Sequence, residues 1–120
     1  MKIINLKDVK KNIVGPPLFT GTVTRQSPMA AIEGSDVSID YVHFPKGVRN
    51  KLHSHSNGQV LIVTKGSGII ATKSKKFNVK MGDIIWIPAG ELHWHGANAG
   101  SDFTHISVTK AQTKIIQIEK

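Results

Sequence analysis

Four of the six histidines in this 120-residue chain stand in two His-x-His pairs, His53-Ser54-His55 and His93-Trp94-His95. On an extended strand, side chains two residues apart point to the same face. Each pair therefore sets two imidazoles side by side on a stiff support. Gln59 opens the next apolar run, after the turn Ser56-Asn57-Gly58. Imidazole and oxygen donors brought to one point suit a divalent transition metal. The chain has no cysteine, which excludes a thiolate site, a cysteine nucleophile and a disulfide framework. An imidazole that titrates near ~6.5 also suits proton transfer at neutral pH.

The supports for these residues read as strands. Short β-branched runs recur, separated by Gly, Asn, Ser and Pro, and helical periodicity is almost absent. Strands are predicted at 21–25, 37–44, 50–53, 59–64, 68–72, 76–79, 83–87, 92–96 and 103–109, with a turn at Lys65-Gly66-Ser67-Gly68. This spacing points to an all-β sandwich or barrel. Val60-Leu61-Ile62-Val63 and Ile84-Ile85-Trp86-Ile87 are apolar on both faces. A barrel strand needs cover only inside. The outer apolar side chains therefore call for a second copy packed sheet on sheet, a homodimer, or for the chain's own termini. Trp86 and Trp94 are read as dimer or core packing.

The length fits one domain. The formal charge is +8, from 16 basic and 8 acidic residues, with the densest lysines over 73–80. No basic helix and no alternation of aromatic with basic residues accompanies them, so nucleic acid is not the expected partner. No run has the length of a membrane span or the pattern of a signal peptide, and a cytoplasmic protein is expected.

Two stretches carry a family resemblance. Gly47-(x5)-His53-x-His55-(x3)-Gln59-(x6)-Gly66 resembles the first cupin motif, which normally has Glu where Gln59 stands. Gly82-(x5)-Pro88-x-Gly90-(x2)-His93-(x4)-Asn98 resembles the second, with Asn one place late; 15 residues separate the two. The resemblance implies a cupin double-stranded β-helix, a jelly-roll barrel. It also implies one domain over 1–120, with a core barrel at about 18–110, motifs at 47–66 and 82–98, an N-terminal arm 1–17 and a C-terminal tail 111–120. It further implies one divalent metal per subunit on His53, His55, Gln59 and His93, manganese first, with iron, zinc, nickel or copper as alternatives. Gln59 replaces a carboxylate by a neutral amide, which leaves the cation more acidic and the site a weaker metal trap.

A narrower resemblance joins Phe19-Thr20-Gly21-Thr22-Val23, Gly58-Gln59-Val60-Leu61-Ile62-Val63, His93-Trp94-His95-Gly96 and Thr104-His105 to small bacterial cupins. Those have manganese-dependent hydroxynitrile lyase activity or are carboxymuconolactone-decarboxylase-like. It implies a small-molecule substrate and a base at His95, next to a metal that polarises an oxygen; the plainer role for His95 is a polar filler bonded to a ligand histidine. His105 is expected near the cavity. Apolarity puts Val37, Ile39, Tyr41 and His43 inside the barrel, whereas the resemblance puts Asp40 and Val42 in the pocket. Asp40 and Thr109 depart from the lyases, which tells against carrying cyanohydrin chemistry over unchanged. The competing readings are a quercetinase-like cupin dioxygenase and a non-catalytic metal or small-molecule binder.

Overall fold

The computed structural model describes residues 1–120. After a 3-10 turn at Leu6–Asp8 come ten strands: β1 Asn12–Val14, β2 Val23–Gln26, β3 Val37–Phe44, β4 His53–His55, β5 Gln59–Ala71, β6 Lys76–Lys80, β7 Ile84–Ile87, β8 Trp94–Ala97, β9 Phe103–Lys110 and β10 Ile115–Gln117. No helix is long and apolar enough to cross a membrane.

β5 organises the barrel. Its first half pairs with β9 and β7, and its second half with β6 and β8, always antiparallel. The ladder continues from β9 through β3 and β2 to β1. The other wall is completed by the bridge His53↔His93 beside β8, and by β4 paired with β10.

The strand read at 59–64 and the one read at 68–72 are therefore a single strand. The register shifts between Val63 and Lys65, and Gly66 takes φ +71°. A side chain at Gly66 would strike the carbonyl of Asp102. The glycines there bend the strand around a corner instead of reversing it. Strand β4 lies a little later than the 50–53 expected, and Arg49 and Asn50 instead form isolated bridges to Gly96 and Phe19. β1 and β10 fall in the segments read as arm and tail. Both are three residues long, too short to show a period.

The core is a cluster including Phe19, Val42, Phe44, Leu61, Val63 and Phe103. Phe44 sits at its centre, with ring centroids 5.9 Å from Phe19 and 5.8 Å from Phe103. Beyond Phe44 the interior turns polar: the His105 and His95 rings lie 5.2 and 5.9 Å from it.

The inner face of β3 is the one with Val42 and Phe44, which are buried. The apolarity of Val37, Ile39 and Tyr41 has another cause. Tyr41 and Ile39 pair with Ile106 and Val108 on β9, which pair with Ile62 and Val60 on β5, which pair with Ile84 and Trp86 on β7. An apolar stripe thus crosses four strands on the outside of the sheet.

Candidate metal centre

His53 and His55 arrive on β4, which is held on both sides. On one side Ile115 and Gln117 of β10 pair with His55 and His53. On the other, His53 and His93 exchange backbone hydrogen bonds of 3.0 and 2.9 Å. Gly90, at φ +82°, donates its N–H to the His55 carbonyl at 2.9 Å, which fastens the turn leading into His93. Residues 40 positions apart are thereby brought ring to ring. Centroids lie 4.3 Å apart for His53 and His93, 4.8 Å for His53 and His55, and 5.1 Å for His55 and His93. One nitrogen from each lies within 4.8 Å of the others, and all three residues are buried.

His53 and His93 are oriented by the same local device. Each Nδ1 donates to the carbonyl two residues earlier, His53 to Lys51 at 2.6 Å and His93 to Glu91 at 2.8 Å. That fixes the proton on Nδ1 and leaves Nε2 as a lone-pair donor. His93 Nε2 is buried with no partner in the protein, and so are His55 Nδ1 and Gln59 Oε1. Buried polar atoms are normally satisfied. Unpartnered donors on His55, His93 and the neighbouring Gln59 are what a divalent cation needs.

The protonation states agree. Burial, then the His93 and His55 rings, push His53 down to about 3, against a raising hydrogen bond to Lys51. Burial and His93 push His55 to about 4, and burial lowers His93 as well. The imidazoles are thus neutral at pH 7, the form a metal requires.

Gln59, at the start of β5, stands opposite Thr109 on β9 and two residues along from Leu61 on the inner face. Its Nε2 donates to Ser107 Oγ at 2.8 Å, which directs Oε1 the other way. No carboxylate belongs to the three-histidine cluster.

His95 is buried as well, 4% exposed. The carboxamide oxygen of Asn50 accepts its backbone N–H at 2.8 Å, so the Asn50 amide nitrogen faces the ring, 3.1 Å from Nε2. The His95 Nδ1 proton then goes to His105 Nε2, 2.9 Å away. Burial first, then the neighbouring imidazoles, hold His95 well below the ordinary histidine value. Burial takes His105 to about 4.

A cavity of about 80 Å³ is walled by His53, His55, Gln59, His95 and His105, with Val42 and Asp40. It shares Asp40, His55, Gln59 and Ser107 with an outer cavity of about 140 Å³ that includes Thr109. The expected residues of the site therefore share these walls, except His93, which joins through the histidine cluster. His43 lies outside, bonded to Thr104 Oγ1 at 2.8 Å. Trp94 is not in the apolar core. It is half-buried, with the Arg49 guanidinium 4.5 Å over its ring. Trp86 lies on the outer face, 65% exposed.

Asn50, Ser107 and Arg25 also line the inner cavity, and no sequence motif singles them out. Ser107 lies between His105 and Thr109 at strand period, so the alternation of β9 contained it. Arg25 follows Val23 by two, and Val23 is buried. Val23 is the one apolar residue in 21–25, too little to mark an inner face from the sequence. Asn50 has no such signal, because its role comes from a contact with His95, 45 positions away.

The Cupin domain family model matches residues 40–108. The (R)-mandelonitrile lyase of Granulicella tundricola is 36% identical over 91 residues, 75% of this chain and 70% of that enzyme. A cupin-like protein of Thermotoga maritima superposes with a TM-score of 0.83 at 27% identity, over 100% of this chain and 90% of that one. The polyketide cyclase RemF of Streptomyces resistomycificus gives 0.87 at 21% identity, over 100% and 87%, a likeness of fold. With its barrel, its histidine cluster and these matches, the chain belongs to the cupin family.

Proposed function

We propose that this chain is a divalent-metal enzyme of lyase type that makes or breaks a bond beside the carbinol carbon of a small hydroxy or carbonyl compound. The observation that carries it is the shared cavity wall: His53, His55 and Gln59 face the same small space as the neutral imidazole of His95. The 36% identity to (R)-mandelonitrile lyase supports the reaction class. His53, His55, His93 and Gln59 would hold the ion, with manganese ahead of iron, zinc, nickel and copper. When bound, it supplies Lewis acidity toward a hydroxyl or carbonyl oxygen.

His95 is the base. It takes up a proton at Nε2, releasing the Asn50 amide, while His105 continues to accept the Nδ1 proton. Asp40 is a second acceptor on the same wall, and Val42 gives that wall an apolar patch. Thr109 stands at the outer cavity.

Elemental analysis of untagged protein purified without chelator, followed by aldehyde-plus-cyanide condensation, tests this. Bound manganese or zinc is expected, with condensation lost in His95→Ala while metal content is kept. A protein that binds no divalent ion and is stabilised by none would sink the proposal. A redox-active metal with oxygen uptake would transfer it to the dioxygenases.

We also infer a homodimer. The outer stripe of β3, β9, β5 and β7 leaves Ile84 71% and Trp86 65% exposed at one end. Ile4 and Leu6 share a cavity with Ile39 and Tyr41, so the chain's own arm shields only the other end. A stripe uncovered on this scale suits a second sheet. Light scattering after gel filtration is expected to give twice the chain mass, and the monomer for Trp86→Glu. A monomeric unsubstituted chain would refute it.

A further inference from the structure

The guanidinium of Arg25 has no use in the chemistry above. It reaches the site from β2, whose residues Val23 and Arg25 share one face, and Val23 is 2% exposed. Arg25 pairs in register with Val42, an inner residue of β3. It belongs to the wall of the 80 Å³ cavity together with His53, His55 and Gln59. Its Nε is buried and has no hydrogen-bond partner in the protein. The ion pairs of the molecule are Arg49 with Glu119 and His43 with Asp102, and Arg25 takes part in neither.

Asp40 is the one carboxylate on this wall. Its Oδ1 accepts a hydrogen bond from Ser27 Oγ at 2.5 Å, and it lies beyond ion-pair distance of Arg25. The histidines around it are neutral. Gln59 contributes no charge where a Glu would contribute one. The wall therefore carries a half-buried cation, shared with a second cavity beside Ser27 and Val37, whose Nε is buried without an acceptor. A desolvated guanidinium N–H left unpaired is costly, and a planar carboxylate can take Nε and one Nη together through two parallel hydrogen bonds.

We infer that the substrate is a small carboxylic acid anion carrying a hydroxyl or carbonyl oxygen, with Arg25 as the residue that binds its carboxylate. The inference rests on the proposed function for the second oxygen, which is turned toward the histidine cluster. The carboxylate contact itself needs only Arg25. Arg25 selects anions over the uncharged nitriles and aldehydes that would otherwise suit the same space.

The probes are lactate and pyruvate against lactamide and pyruvamide, titrated by NMR into metal-free and manganese-loaded protein. Binding of at least one acid is expected to be tenfold or more tighter than that of its amide, in the metal-free protein as well. Arg25→Gln removes the preference, and Arg25→Lys retains part of it. An unchanged chemical-shift dispersion shows that each variant is folded. Should Arg25→Gln not fold, the acid-against-amide ratio of the unsubstituted protein and of Arg25→Lys decides. Equal binding of acid and amide, a preference that survives Arg25→Gln, or no saturable binding of either acid overturns the inference. Failure of the lyase reading appears separately, as absent metal, or as absent condensation of cyanide with both an uncharged aldehyde and glyoxylate, with the carboxylate preference intact.

Discussion

The side-chain amide of Gln59 donates to Ser107 Oγ at 2.8 Å, and that bond decides which end of the amide is left for a cation. Its carbonyl oxygen is buried without a partner, as are His55 Nδ1 and His93 Nε2, and Gln59 shares a cavity wall with His55. Partners that orient a ligand in this way typically account for ~10–100-fold in metal affinity. Ser107→Ala is therefore expected to weaken manganese binding by about that factor, read by competition with a chelator. An unchanged affinity would mean that Gln59 is not a ligand.

Gln59→Glu restores the charge that most cupin sites have at this place. Tighter metal binding, by roughly tenfold or more, is expected from the added attraction. Turnover in the condensation assay should fall, because a less cationic ion polarises an oxygen less. A variant that gains affinity and keeps full activity would remove the electrostatic role given to the amide.

Phe44 separates the apolar end of the barrel from the histidines. It is fully buried, with Phe19, Phe103, His95 and His105 around its ring. Truncating such a residue costs ~3–5 kcal/mol, from lost burial and from the cavity left behind. Phe44→Ala is expected to lower stability by that amount in urea titration and to loosen His95. A loss below about 1 kcal/mol would show that the barrel collapses easily onto the gap.

Acid should destabilise the metal-free protein before its carboxylates titrate. His105 is buried and titrates at about 4 in the folded chain, against an ordinary 6.5. Between those values the unfolded chain holds more protons, so stability falls as pH falls. The contribution is complete above pH ~6.5 and lost as pH approaches ~4, a change on the order of 3 kcal/mol for this one residue. Urea midpoints at pH 7.5 and 5 should separate, and His105→Gln should narrow the gap. Coincident midpoints in the unsubstituted protein would contradict the burial described for His105.

The jelly roll and the histidine triad were legible because their signals are local. Strand period puts His53 beside His55, and the resemblance to the two cupin motifs adds His93 and Gln59 and narrows the barrel to a jelly roll. The orientation of β3 was legible only through resemblance. Apolarity pointed the wrong way, since Ile39 and Tyr41 belong to an outer stripe that continues on three other strands. The corner in β5 was read as a turn because a glycine with positive φ serves both purposes. Arg25 and Asn50 were out of reach for a different reason. Each acquires its meaning from a residue far along the chain, Val42 for one and His95 for the other.

Because β5 is shared by both walls, the order in which this barrel can form is constrained. Every strand that pairs with β5, from β6 to β9, follows it in the sequence, and β3, which can pair early with β2, is joined to β5 only through β9. Contacts of such long range make for slow folding. In a chain emerging from the ribosome, His53, His55 and Gln59 appear well before His93, and Ser107 comes later still. The apolar run at 60–63 meanwhile stands uncovered. The histidine cluster is thus assembled late, and the interval before β9 arrives is when this chain is most exposed to aggregation.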